Sequence, residues 1–289
     1  MSRSRHRLMG IVNVTPDSFS DGGLFLDADA ALAQAIRLAG EGADILDVGG
    51  ESTRPGAEPV ALEEELRRVL PVIAGIASAL PAGPQISIDT TKAAVARAAL
   101  AAGATLVNDV SALRADPEMA ATVAASGADC CLMHMRGEPR MMQEDPRYDD
   151  VVDEVKAFLQ ERLELAVGAG IAVERIMLDP GIGFGKTEAH NLELLDRLDE
   201  LCTLGAPIVI GTSRKAFIGR ILARAAGREQ PVDAAARLPG TIATNVLAYA
   251  RGARVFRVHD VAPVRDALAV AAATLGGRWT RSPGRTPTS

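Results

Sequence analysis

The stretch Asp44-Ile45-Leu46-Asp47-Val48-Gly49-Gly50-Glu51-Ser52-Thr53-Arg54-Pro55 is a short apolar run that stops in a glycine-rich polar cluster. The same unit recurs along the chain. Leu8 to Val12 runs into Asn13-Val14-Thr15-Pro16-Asp17, Ile86-Ser87-Ile88 into Asp89-Thr90, and Thr105-Leu106-Val107 into Asn108-Asp109. Cys131-Leu132-Met133 ends at His134, and Ile176-Met177-Leu178 at Asp179-Pro180-Gly181. Ile208-Val209-Ile210 ends at Gly211-Thr212-Ser213-Arg214-Lys215, and Arg254-Val255-Phe256 at Arg257-Val258-His259-Asp260. The runs lack period-two alternation, as expected for strands covered on both faces. If the strands are parallel, their polar ends share one face. That is the layout of an α/β protein built as a parallel, eight-stranded (β/α)8 TIM barrel, whose active site lies at the C-terminal mouth.

The segments between the runs agree. Ala/Leu/Glu/Arg-rich stretches at helical period cover 28–41, 60–79, 91–102, 116–126, 149–169, 188–201, 233–251 and 260–275, so strands alternate with helices. No composition break divides the 289 residues, and the 48% hydrophobic content supports a large core. One barrel domain is expected over 1–276, followed by a loose Gly/Pro/Ser/Thr/Arg-rich tail over 277–289.

A net charge of −6 and a pI near 5.4 argue against bulk binding to nucleic acid or an anionic membrane. No apolar run is long enough to span a bilayer, and the basic start leads into a strand rather than a signal-peptide core. Three cysteines cannot build a disulfide framework. Cys130 and Cys131 should point to opposite faces of one strand, reduced, in a cytoplasmic protein. Glu63-Glu64-Glu65 followed by Arg67-Arg68 reads as a solvated helix face. Gly181-Ile182-Gly183-Phe184-Gly185-Lys186-Thr187 matches a phosphate loop only weakly, because the first glycine of that spacing is missing. Its glycines read better as letting backbone approach a flat ligand.

The strand ends divide by chemistry. Asp89, Asn108 and Asp179 form an acceptor-rich floor suited to an aminopyrimidinone edge, as in a pterin or guanine. Arg54, Lys215, Arg257 and His259, beside Asn13, Thr53 and Ser213, form a cationic rim suited to a phosphate or diphosphate. The backbone N–H groups of Ser213-Arg214-Lys215, before a helical stretch, are candidates for the same anion. The scattered histidines exclude a zinc site. A magnesium ion carried with a diphosphate and touching Asn13 suits that ion's preference for oxygen. No serine sits in a nucleophile elbow, and Cys131 has no adjacent base. The site is therefore expected to orient and stabilise charge without a covalent intermediate.

Taken in order, the motifs from Met9-Gly10-Ile11-Val12-Asn13-Val14-Thr15-Pro16-Asp17-Ser18-Phe19 through Asp47-Val48-Gly49-Gly50-Glu51-Ser52-Thr53-Arg54-Pro55-Gly56 to Leu178-Asp179-Pro180-Gly181 and Arg257-Val258-His259-Asp260 are specific. Over about residues 8 to 275 the chain resembles the dihydropteroate synthases of the folate pathway. The resemblance implies condensation of (7,8-dihydropterin-6-yl)methyl diphosphate with p-aminobenzoate by an SN1-like displacement. It implies catalytic roles for Asp21, Arg54 and Lys215. Asp89, Asn108, Asp179 and Lys215 would hold the pterin, with Arg257 stacked on it. Asn13, Thr53, Arg54, Arg257 and His259 would hold the diphosphate, with Mg2+ at Asn13. Phe19, Thr53, Pro55, Phe184, Ser213 and Lys215 would surround p-aminobenzoate. It further implies mobile lids over 13–27 and 49–60, sulfonamide binding in the p-aminobenzoate pocket, and a homodimer. A methyltetrahydrofolate-dependent corrinoid methyltransferase and a silent pterin-binding paralogue are the alternatives. The diphosphate rim and the Ser52-Thr53-Arg54-Pro55 lid disfavour both.

Overall fold

The computed structural model describes residues 6–14, 24–52, 58–137, 142 and 146–276. Its strands are β1 (Arg7–Asn13), β2 (Ile45–Gly49), β3 (Gln85–Asp89), β4 (Leu106–Asp109), β5 (Asp129–Met133), β6 (Ile176–Asp179), β7 (Val209–Ile210) and β8 (Val255–Val258). All pair in parallel, in the order β6-β5-β4-β3-β2-β1-β8-β7. A bridge between Leu178 and Ile208, with the Leu178 N–H donating to the Pro207 carbonyl at 3.0 Å, brings β6 to β7. The result is the expected (β/α)8 barrel. The tail over 277–289 lies outside the described residues.

The helices are α1 (Leu24–Gly40), α2 (Leu62–Ala79), α3 (Ala93–Ala101), α4 (Met119–Ser126), α5 (Val151–Gly168), α6 (Glu188–Asp196), α7 (Leu198–Cys202), α8 (Ala216–Ala225), α9 (Leu238–Ala250) and α10 (Val261–Gly276). The stretch expected as one helix over 188–201 breaks at Arg197 into α6 and α7. The stretch over 233–251 opens as a 3-10 turn, Ala234–Arg237, before α9. The helical stretch expected directly after Lys215 is α8, in addition to the eight longer stretches. Its start is set by the site loop, since Lys215 is its extended N-cap residue and Phe217 and Ile218 bury its inner side.

Inside the barrel, strand period two stacks side chains in layers. At the lower end Arg7 donates to Gln85 Oε1 at 3.4 Å and to Met177 Sδ at 3.0 Å, and Gln85 donates to Asp129 Oδ2 at 2.9 Å. Above lies an apolar plug of Met9, Ile45, Leu106, Cys131, Met177, Val209 and Val255. Polar residues enter at the next inward positions, among them Asp47, Ser87, Asn108, Asp179 and Arg257. The plug thus seals the floor of the mouth. Cys130 packs outward against the helices while Cys131 joins the plug. Burial pushes both thiols far above the usual range, so neither offers a thiolate near neutral pH.

One expectation about α2 needs correction. Glu64 does pair with Arg67 and Arg68 on the outer face. Glu65 instead points inward and is fully buried. It accepts from Thr90 Oγ1 at 2.7 Å and from Lys92 Nζ at 2.6 Å, and Lys92 also meets Glu51. Arg68 Nη1 donates to the Gly50 carbonyl at 2.8 Å. A buried carboxylate survives because a cation and a hydroxyl satisfy it, and together these groups fix the root of the β2–α2 connection.

Truncating the plug should be costly. Met9 is fully buried, so Met9→Ala is expected to cost about 2–5 kcal/mol, read as a lower denaturant midpoint.

Candidate active site

Every strand ends at the same mouth, and five of the polar side chains there form one connected network. Arg257, from β8, reaches across the barrel. Its Nε donates to Asp47 Oδ2 at 2.6 Å and its Nη2 to Asp89 Oδ2 at 2.7 Å. Asp47 also accepts from Ser87 Oγ at 2.6 Å and from Asn108 Nδ2 at 3.1 Å. Five strand-end side chains from β2, β3, β4 and β8 are thereby locked together. Burial drags on the charge of Arg257, but the Asp47 and Asp89 carboxylates outweigh it and raise its pKa further, so it stays cationic. Burial pushes Asp89 up to about 7 against the pull of Arg257, and the charges of Asp47, Glu65 and Asp109 add to the rise. Asp179 is also raised by burial, although it accepts from the Gly181 N–H at 2.7 Å.

The rim is as tightly organised. Ser213 Oγ accepts from the His259 N–H at 3.2 Å and lies 2.9 Å from His259 Nδ1. Arg214 has φ +58°, an uncommon conformation for a residue with a side chain. Four bonds hold it there. Its guanidinium grips Asp260 at 2.9 and 2.6 Å, its N–H donates to Thr241 Oγ1 at 3.0 Å, and its carbonyl accepts from Arg237 at 2.8 Å. The Lys215 N–H donates to the Thr212 carbonyl at 3.1 Å. The backbone amides of Arg214 and Lys215, expected to be available to an anion, are thus already committed to protein acceptors. Lys215 Nζ lies 4.1 Å from the centre of the Phe184 ring, within cation–π range. Asn13, at the end of β1, is in register with Gly49, and its amide makes no hydrogen bond among the described residues.

The loop after β6 owes its path to glycine. Gly181, Gly183 and Gly185 have φ of +67°, +81° and +63°. A Cβ on Gly181 would lie 1.9 Å from the His134 carbonyl oxygen, and one on Gly185 would lie 2.4 Å from that of Arg136. At these two positions backbone approaches the neighbouring loop after β5, not a flat ligand as expected. Only Gly183 faces a site residue, with Lys215 Cδ 3.3 Å from its would-be Cβ. Phe184 packs on a buried cluster of Val110, Met133, Met135 and Met142.

The structure therefore brings Asp89, Asn108, Asp179, Lys215, Arg257, His259, Ser213, Phe184 and Asn13 to one mouth. Phe19, Asp21, Thr53, Arg54 and Pro55 lie outside the described residues, as do residues 15–23 and 53–57 of the expected lids. Asp47 and Ser87 are floor residues that the sequence reading quoted in motifs but assigned no role. Their signal was the inward alternation of β2 and β3: Asp47 lies two positions after Ile45, and Ser87 two before Asp89.

A family model described as pterin binding enzyme matches residues 9–259. A dihydropteroate synthase of Mycobacterium leprae is 48% identical over 276 residues, 95% of this chain and 95% of the relative. The chain belongs to the pterin-binding enzymes, within the dihydropteroate synthase family. Solved structures agree. A Xanthomonas albilineans dihydropteroate synthase with 4-aminobenzoic acid is 49% identical, with a TM-score of 0.86 and 96% of each chain covered. A structure of that enzyme in complex with 7,8-dihydropteroate has a TM-score of 0.83 at 46% identity over 96% of each chain. A Yersinia pestis dihydropteroate synthase in a sulfonamide drug complex has a TM-score of 0.87 at 43% identity, covering 96% of this chain and 97% of that one.

The close contact at Gly181 generates a test. Gly181→Ala combines a left-handed backbone, costing about 1–2 kcal/mol, with a Cβ inside contact distance of the His134 carbonyl. It should lower the melting temperature; an unchanged melt would contradict the packing described.

Proposed function

We propose that this protein is a dihydropteroate synthase, a transferase of folate biosynthesis. It joins (7,8-dihydropterin-6-yl)methyl diphosphate to p-aminobenzoate, giving 7,8-dihydropteroate and diphosphate. The observation that carries the reading is the floor network: Asp89, Asn108 and Asp179 offer acceptors and an amide over a sealed apolar plug, next to Lys215 and Arg257. Relatives that match nearly the full chain carry that activity by name, and one is solved in complex with 7,8-dihydropteroate.

In this reading Asp179, Asp89 and Asn108 receive the N–H groups and carbonyl of the pterin edge, and Lys215 binds its rim side. Arg257, tied beneath to Asp47 and Asp89, presents the planar face of its guanidinium to the ring. Arg257, His259, Asn13, Thr53 and Arg54 take the diphosphate. Phe184, Ser213 and Lys215, with Phe19, Thr53 and Pro55, form the p-aminobenzoate pocket, the same pocket that would accept a sulfonamide. Asp21 faces the developing cation. Among the described residues no cluster of three or more His, Cys, Asp or Glu side chains could hold a metal. The unengaged Asn13 amide fits Mg2+ only as one oxygen ligand to an ion that arrives with the diphosphate. When bound, that ion would neutralise leaving-group charge.

The displacement is dissociative. The electron-rich dihydropterin stabilises a cation at its exocyclic methylene as diphosphate leaves, and the neutral arylamine then attacks. No described residue is placed as a nucleophile, and the buried thiols stay protonated. Fixed cations at the rim stabilise charge as it develops on the leaving group. We further place the protein in the cytoplasm as a homodimer. Supporting this, no described helix is long and apolar enough to cross a membrane, and exposed Leu192, Leu247 and Val270 lie on α6, α9 and α10, where α9 packs against both of the others. Sedimentation at twice the chain mass would bear out the dimer; a monomer at micromolar concentration would refute it.

A coupled diphosphate-release assay, with both substrates and with each omitted, tests the reaction. Dihydropteroate should form only with both. Slow diphosphate release without p-aminobenzoate is the signature of ionisation first, and none at all would favour concerted displacement. Product made instead from methyltetrahydrofolate and a corrinoid protein would overturn the assignment.

The raised carboxyls add a pH dependence. Pterin N–H donors favour the ionised forms of Asp89 and Asp179. Binding is therefore strongest above the free-state values and weakens as pH falls through about 7. Calorimetric Kd values for a pterin between pH 5.5 and 8.5 should rise toward the acid end, approaching about tenfold per pH unit if one proton is taken up.

A further inference from the structure

Lys186 is 2% exposed, and nothing in the proposed chemistry uses it. Burying an ammonium costs several kcal/mol unless its protons are matched, and an apolar side chain would fill the same space more cheaply. Its Nζ lies 2.8 Å from His134 Nδ1 and donates to the Phe184 carbonyl at 3.0 Å. It therefore spans two loops, joining the end of β5 to the glycine-rich segment after β6. His134 is itself buried, and its ring stands edge-on to Phe158 at 4.8 Å. Burial, with Lys186, Arg114 and Arg136 nearby, depresses its pKa to about 2. The imidazole is then neutral. Burial also lowers Lys186 to about 7, against the pull of the Asp179 carboxylate; on the acid side of that value the lysine is an ammonium, so His134 Nδ1 accepts from it and the ring proton sits on Nε2. Tyr148 adds a second tie between the same regions, its hydroxyl donating to the Gly185 carbonyl at 2.8 Å.

The segment so held carries Phe184. With positive φ on both sides, at Gly183 and Gly185, the backbone there has wide conformational freedom. The Lys186 tether lands on the Phe184 carbonyl itself. The ring it orients rests on Val110, Met133, Met135 and Met142 and faces Lys215. We propose that Lys186, anchored on His134, is a positioning residue that fixes the Phe184 wall and so sets affinity for the flat arylamine substrate. This rests on the reading of the site as a dihydropteroate synthase. The ammonium touches neither substrate; its effect passes through one carbonyl and one ring.

The test compares wild type with Lys186→Met, which keeps the length and removes the donors. The KM for p-aminobenzoate should rise by at least about tenfold, as for loss of a charged hydrogen bond, while the Kd for a pterin measured without amine moves by less than about threefold. Equal losses in both, or an unchanged amine KM, would overturn the proposal. Should Lys186→Met fail to fold, His134→Leu removes the anchor from the other side and must give the same split between amine and pterin. Nitrogen-15 NMR of the wild-type histidines supplies a readout independent of turnover. His134 should remain the neutral Nε2–H tautomer, with Nδ1 accepting from the Lys186 ammonium, from pH 5 to 6.5; protonation within that range would overturn the anchor. A wild-type protein that makes no dihydropteroate would sink the reaction reading while leaving the His134 signature intact. Normal turnover with an unmoved amine KM in both variants would sink only the tether.

Discussion

The mouth of this barrel is organised around one buried cation. Arg257 extends from β8 to the opposite strands and bonds Asp47 and Asp89 at 2.6 and 2.7 Å. A guanidinium removed from water is tolerable only where carboxylates meet it in hydrogen-bonding geometry, and these two do so from neighbouring strands. Asp47 then passes the constraint on to Ser87 and Asn108. Removing any member leaves a buried charge or amide unmatched, so the pocket floor has one stable arrangement. The apolar plug of Met9, Ile45 and Cys131 beneath it keeps water away from below and strengthens each of these interactions.

Around this fixed floor the loops carry the unusual backbone. Arg214 is held in the left-handed region by Asp260, Thr241 and Arg237. Gly181 and Gly185 bring the loop after β6 against the carbonyls of His134 and Arg136. Strain and close approach concentrate where Lys215, Ser213 and Phe184 must converge, while the surrounding helices are ordinary amphipathic elements. The barrel supplies rigidity, and the loops convert it into placement of side chains.

Much of this was legible in the chain. Apolar runs that end in polar residues announce parallel strands and a shared mouth, and those runs contain every floor residue. Asp47 is harder to read, because Asp-Val-Gly-Gly looks like a strand fading into a turn; only the inward phase of Ile45 marks Asp47 as facing the barrel interior. Glu65 lies in a run of three glutamates whose neighbours do face solvent, and its partners, buried Thr90 and half-buried Lys92, come from another element. Helix α8 is legible only as the helical stretch that follows Lys215. The committed amides of Arg214 and Lys215 depend on Thr241 and Thr212, and no local pattern reveals such pairings.

The charge balance between Arg257 and its two carboxylates decides whether the pocket floor can take a ligand. Asp47→Asn keeps size and shape and removes only the negative charge that Arg257 Nε engages. Pterin affinity measured by calorimetry in this variant, with the fold verified by an unchanged circular dichroism spectrum, is the direct measurement. A fall of about tenfold or more, as for a buried ion pair stripped of one partner, is the predicted result. Wild-type affinity in a folded Asp47→Asn protein would contradict the claim that this buried ion network builds the site.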